Sequence, residues 1–95
     1  MINKDQIIER LETVIDPELN IDIYTMGLIY DIQILNEKDV KVIMTFTTPS
    51  CPAGPMLIGE VKKEIKVLGF ENVEVEITFD PMWKPPAELR AALGI

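Results

Sequence analysis

Apolar residues recur at helical spacing near the start of the chain: Ile7, Ile8, Leu11, Val14 and Ile15, with Glu9, Arg10, Glu12 and Thr13 on the opposite side. The pattern predicts an amphipathic helix over 4–14. It should end at Asp16-Pro17, because a proline disfavours helical backbone at the residue before it. After "ELNIDIYTM", Gly27 punctuates the chain and the period changes to two. Tyr30, Ile32 and Ile34 alternate with Asp31 and Gln33, predicting a strand from about Leu28 to Leu35. "NEKD" (36–39) reads as a tight polar turn. Val40, Val42, Met44 and Phe46 then line one face of a second strand, so the two should form an antiparallel hairpin.

Leu57, Val61, Ile65 and Leu68 form a second helical stripe, closed by Gly69. In "NVEVEITFD" (72–80), Val73, Val75, Ile77 and Phe79 face inward, while Glu74, Glu76, Thr78 and Asp80 face outward. "PMWKPP" (81–86) breaks that alternation, and "AELRAALG" can make a short terminal helix. The order is therefore helix, strand, strand, helix, strand, short helix. One-sided strands with amphipathic helices imply a two-layer α+β sandwich forming a single domain over 1–95. Its core should hold Val42, Met44, Phe46, Val61, Ile65, Val75, Ile77 and Phe79. Leu11 and Ile15 should pack onto the same sheet, which the third strand joins.

Composition narrows the function. The 95 residues suit one domain, and an apolar fraction of 47% is enough for a core. Sixteen acids against nine bases give a net charge of -7, which disfavours nucleic acid and anionic membrane surfaces as partners. No apolar run approaches the roughly 18–20 residues of a membrane span, and the start lacks the apolar core of a signal peptide. A lone cysteine fits a reducing cytoplasm. Histidine is absent, which removes Ser-His and Cys-His pairs and every His-containing metal site built from this chain alone. No GxGxxG or Walker-type loop occurs.

The chemistry concentrates in "TFTTPSCPAGPML" (45–57), which carries Cys51, the only cysteine, among Pro49, Pro52 and Pro55. Pro52 suits a first helical position, so Cys51 is expected at the helix N-cap. There, free N–H groups and the helix dipole favour the thiolate. Thr45, Thr47 and Thr48 add hydroxyls able to bond a sulfur, a carboxylate or a ligand. Lone cysteines usually pack as small apolar groups, but a Thr- and Pro-rich loop at a helix start is an unusual place for an inert one. In "DPEL", Asp16 and Glu18 read either as solvated acids at a helix terminator or as a carboxylate folded toward the cysteine loop, acting as base, metal ligand or anchor. Trp83, between Pro81 and Pro85, reads as a cap on the core or part of a partner surface.

The motifs "DPEL" (16–19), "GLIYDI" (27–32), "TTPSCP" (47–52) and "FDPMW" (79–83) together resemble the SufT/PaaD family of metal-sulfur cluster biosynthesis proteins, in the family's order and near its spacing. The resemblance runs from the first helix to Trp83. It implies a small mixed sheet in a domain similar to the C-terminal domain of NifU-type scaffolds. It also implies a part in iron–sulfur cluster assembly, with a functional pocket at Asp16, Glu18, Thr47, Thr48 and Cys51. PaaD-type members carry a further cysteine-rich C-terminal region and nucleotide-hydrolysing relatives a P-loop domain. Neither is seen here, so the chain is most similar to the minimal, stand-alone, SufT-like form.

One thiolate cannot hold a cluster that takes four cysteine ligands. Either two chains pool Cys51 across a homodimer, or a client apoprotein, carrier or scaffold supplies the other ligands, or Cys51 acts only as a transient iron or iron–sulfur ligand. An assembly or transfer factor is thus expected rather than an enzyme. The alternatives are a cysteine-dependent small enzyme with Glu18 or Asp16 as base, and a non-catalytic interaction module with Cys51 packed inside.

Overall fold

The computed structural model of the chain describes residues 2–17, 19–47, 52–84 and 86–87. Helix α1 spans Lys4–Leu11 and starts in a capping box. The Asn3 side chain accepts from the Gln6 N–H at 3.0 Å, and the Gln6 side chain accepts from the Asn3 N–H at 2.9 Å. The helix stops one turn earlier than its apolar pattern suggests. The Thr13 hydroxyl donates to the Arg10 carbonyl at 2.6 Å, and the chain then becomes extended. Alternation replaces helical spacing at that point: Val14 is buried, Ile15 is 42% exposed and Asp16 is buried again. Ile15 therefore does not pack onto the sheet as expected, while Leu11 is fully buried.

Two short strands follow, β1 (Ile15–Asp16) and β2 (Ile21–Asp22), paired antiparallel as a small separate sheet. The main sheet holds β3 (Ile29–Ile34), β4 (Asp39–Met44) and β5 (Asn72–Ile77) in the order β3-β4-β5. β3 and β4 form the expected hairpin, with a bulge between Ile29 and Asp31. The third strand does join this sheet. It runs parallel to β4, from Asp39 opposite Asn72 to Met44 opposite Ile77. The crossover between them is α2 (Gly54–Lys66), as parallel neighbours require.

Both helices cover one face of the sheet, giving the two-layer α+β arrangement. Val40, Val42 and Met44 of β4 meet Leu57, Val61 and Ile65 of α2, all with at most 1% exposure. An ion pair between Arg10 and Glu64 ties α1 to α2. Val75 and Ile77 are half-buried against this core. Phe79 is not a core residue: it is 38% exposed, because β5 ends at Ile77 and the ring leans on Phe46 with centroids 6.4 Å apart. The opposite face of the sheet is polar. There Lys41 reaches Glu76 at 3.2 Å and Glu74 at 3.7 Å, and the bond to Glu76, chiefly, raises the lysine pKa.

α2 begins at Gly54 with Ala53 as N-cap, which makes no side-chain capping bond, and Pro55 lies in its first turn. The cap therefore falls on Ala53 rather than Cys51. A missing capping bond costs about 1 kcal/mol, whereas each of the three buried α2 side chains contributes about 1.5–3 kcal/mol. Packing decides where this helix lies. Its start is held by Phe46, whose ring lies against the Gly54 α-carbon: a methyl group on Gly54 would sit 2.9 Å from Phe46 Cε2. At the other end, Gly69 has φ +115, a value open to glycine and strained for other residues. The expected terminal helix lies mostly outside the described residues.

These packing facts give two predictions. Gly54→Ala should destabilise by about 1–3 kcal/mol through overpacking against Phe46. Gly59→Ala, in the same helix with no atom within 4 Å of the added carbon, should stabilise by up to about 1 kcal/mol. Urea midpoints of the two variants should therefore move in opposite directions from wild type.

A third prediction concerns acid. Asp39 accepts from the Asn36 side chain at 2.8 Å and from the Asn72 side chain at 2.7 Å, joining the β3–β4 turn to the start of β5. These bonds, Asn36 first, lower its pKa below the ordinary 3.8. Its contribution is thus present above that value and lost as pH falls through the lower, folded-state pKa. In Asp39→Asn this part of the acid dependence should disappear, so the stability gap between wild type and variant should begin to narrow near pH 3.8 and close below the lowered, folded-state pKa. Unfolding midpoints across an acid series would record it.

Candidate functional site

The segment carrying Cys51 connects the end of β4 to the start of α2. Cys51, Thr48 and Glu18 lie outside the described residues, so the site is built from its stem. On the strand side, the Thr45 N–H donates to the Leu28 carbonyl at 2.8 Å. Thr45 is fully buried and its hydroxyl is turned to the backbone, donating to the Phe46 carbonyl at 3.3 Å. Thr47, the next threonine, is half-buried. On the helix side stands Gly54 beneath the Phe46 ring. Both ends of the cysteine segment are thus fixed by packing and backbone bonding.

Asp16 is 1% exposed. One carboxylate oxygen accepts from the Leu19 N–H at 3.3 Å, and its carbonyl accepts from the Asn20 N–H at 2.7 Å. Asn20 takes the left-handed φ of 58 that closes this tight connection, which asparagine tolerates better than most residues. Asp16 is therefore not a solvated acid at a helix terminator: it ends β1 and bonds across the connection to β2. A relay of backbone bonds leads from this hairpin to the cysteine stem. The Val14 carbonyl accepts from Ile23, the Ile23 carbonyl from Leu28, and the Leu28 carbonyl from Thr45, at 2.9, 3.1 and 2.8 Å. Of the residues expected to form a pocket, Asp16 and Thr47 are described, and the relay ties the hairpin of one to the segment bearing the other.

The remaining two motifs meet directly. The Trp83 indole N–H donates to the Met26 carbonyl at 2.8 Å, and the Tyr30 hydroxyl donates to the Pro81 carbonyl at 2.8 Å. Gly27, at φ +80, lies against Pro86 and Trp83; a methyl group there would be 3.4 Å from Pro86 Cγ. "FDPMW" is thus fastened to "GLIYDI", and Trp83 packs against the core as one of its two expected roles requires. The Asp80–Pro81 peptide is cis. Sequence reasoning missed the Phe46–Gly54 contact, although a glycine between two alanine- and proline-type helix starters, opposite a strand-end aromatic, was the available signal.

Among the described residues no group of three or more Cys, Asp or Glu side chains is arranged to hold a metal ion. The stem offers instead a fixed frame for one segment, and backbone bonds through Val14, Ile23 and Leu28 join it to the hairpin that carries the buried Asp16.

Comparison with known proteins places this frame. The family model for "iron-sulfur cluster assembly protein" matches residues 4–77. The chain is 38% identical to the Fe-S protein maturation auxiliary factor YitW of Bacillus subtilis, over 97% of this chain and 94% of that protein. It is 41% identical to the Fe-S protein maturation auxiliary factor SufT of Staphylococcus aureus, over 74% and 81% respectively. A solved structure of a conserved hypothetical protein from Thermotoga maritima shares its fold with a TM-score of 0.86 and 45% identity, covering 99% of this chain and 96% of that one. The chain belongs to the iron–sulfur cluster assembly protein family.

Proposed function

We propose that this protein is an auxiliary factor in iron–sulfur protein maturation that passes clusters to client apoproteins through the Cys51 thiolate. The observation that carries the reading is the stem: the only cysteine of the chain lies between Phe46 and Gly54, two residues packed on each other, in a protein of this family. A thiolate is the soft ligand that iron–sulfur chemistry uses.

The step is a ligand exchange. Cys51 gives its proton to solvent, and its sulfur replaces one ligand on an iron atom of a cluster presented by a carrier or scaffold. A client cysteine thiolate then displaces Cys51, which recovers a proton. No atom changes oxidation state, and the cluster is cargo throughout. One thiolate supplies one of about four ligands, so donor and recipient proteins supply the rest. Asp16 and Thr47 frame the segment, with Thr48 and Glu18 beside them in sequence completing the functional pocket. This assigns the protein a non-catalytic role, since without histidine a carboxylate base would need a strongly raised pKa to serve near neutrality. Its place of work is the cytoplasm, where thiols stay reduced. No helix among the described residues is long and apolar enough to cross a membrane.

Cys51→Ser is the direct test. The variant should unfold at the wild-type temperature, yet fail to restore client-enzyme activity in a strain lacking its own factor. After anaerobic incubation with iron and sulfide, it should also lose whatever charge-transfer absorption the wild type acquires. Full rescue by the serine variant would remove the sulfur from the mechanism and leave an adaptor role.

A further inference from the structure

The outer edge of β5 is open among the described residues: β4 lies on one side, and no strand pairs with the other. Which backbone groups face outward follows from the hydrogen bonds at its two ends. The Asn72 N–H donates to Lys38 and the Thr78 N–H to Met44, at 3.0 and 2.9 Å, both toward β4. The register between them is continuous. Alternation therefore turns residues 72, 74, 76 and 78 toward β4, and the N–H and C=O groups of Val73, Val75 and Ile77 away from it.

This edge is the floor of a groove of about 360 Å³, lined on the strand side by residues 71–75 and on the helix side by Lys62 and Lys66. The two walls differ in charge. Lys62 and Lys66, one turn apart on α2, form no ion pair among the described residues. On the other face of the sheet stand Glu74 and Glu76, with side chains 68% and 51% exposed. Lys41 sits between these two acids, so one carboxylate charge is left over.

The geometry points to β5 as a docking edge that takes an extended segment of a partner protein as an added strand, with basic residues opposite Glu74 and Glu76 and apolar residues toward α2. Added strands gain main-chain hydrogen bonds from an open edge and specificity from alternate side chains. Cross-strand pairs of opposite charge are favourable and like charges unfavourable. That rule excludes the nearest competitor, a second copy of this chain: antiparallel pairing of two β5 edges would bring Glu74 and Glu76 against the same carboxylates of the other copy. Lys62 and Lys66 set the phase by repelling basic residues on the groove side. The edge is independent of the cysteine chemistry, and its occupant is selected by charge and extended backbone.

The probe is a capped hexapeptide alternating lysine and valine, with its glutamate–valine counterpart as comparator. In amide hydrogen exchange, the lysine peptide should slow Val73, Val75 and Ile77 by about tenfold or more. The effect should fade at high ionic strength, and the glutamate peptide should do much less. Val75→Pro removes an N–H that does not bond β4, so it should abolish the protection while leaving the Met44–Thr78 end of the ladder intact. The double variant Glu74→Lys, Glu76→Lys keeps every backbone donor and should reverse the peptide preference, which tests the idea even if the proline variant does not fold. Equal protection by both peptides, or none at these amides, would overturn the proposal. Protection that grows with protein concentration in the absence of peptide would overturn it too, by making a second copy the occupant.

Discussion

Strand β4 is the constraint on which the other elements depend. Among the described residues it is the only strand of the main sheet bonded on both edges, and its inward side chains Val40, Val42 and Met44 are at most 1% exposed. A one-residue slip in its pairing would turn those three to water and bring Lys41 and Ile43 inside. At about 1.5–3 kcal/mol for each buried apolar side chain, that slip would remove an amount comparable with the whole net stability of a small domain. Everything that approaches the site is positioned from this strand. Met44 bonds the end of β5, Thr45 bonds Leu28, and Phe46 packs on Gly54. The cysteine segment leaves from a point that cannot move without unpairing the sheet.

Long periodic segments were legible because their burial has one direction. Leu57, Val61 and Ile65 recur at helical spacing, Val73 and Val75 at strand spacing, and the structure buries them accordingly. The β1–β2 hairpin was not legible. Its strands have two residues each, too few for any period to show, and its closure depends on the left-handed Asn20 and the Asp16–Leu19 bond. Missing it also misplaced Ile15: a helical reading puts Val14 and Ile15 on one face, but an extended chain puts them on opposite faces. Phe79 failed for a related reason, since alternation persists in the sequence past the residue where pairing ends. The motifs were legible as words, while the contacts joining them, Trp83 to Met26 and Tyr30 to Pro81, span more than fifty positions and leave no local trace.

Charge is distributed with the same one-sidedness as apolarity. The helix layer faces the sheet through aliphatic side chains, while the free face of the sheet carries Lys41 between two glutamates. In a three-stranded sheet two edges are necessarily terminal, and an open edge invites pairing with any extended chain. Like charges on the two glutamates of β5 disfavour pairing of this edge with its own copy. A partner of opposite charge meets no such barrier. If β5 docks a partner strand as proposed, one arrangement of side chains would both disfavour pairing between copies and select what binds.

A single thiolate ligand has a consequence for how a transfer factor must work. Resident clusters are held by about four ligands from one protein, and such sites release their contents slowly. On the proposed route, with one ligand from this protein, the bond to iron would contribute little lasting affinity, and a cluster on Cys51 would exchange readily with an incoming thiolate. Discrimination between correct and incorrect partners must then come from protein surfaces rather than from the metal bond. A rigid stem serves that division of labour. Phe46 over Gly54 and Thr45 on Leu28 hold the two ends of the cysteine segment. On the proposed route, affinity belongs to the docking surfaces, and the cysteine needs only to be weak enough to let go.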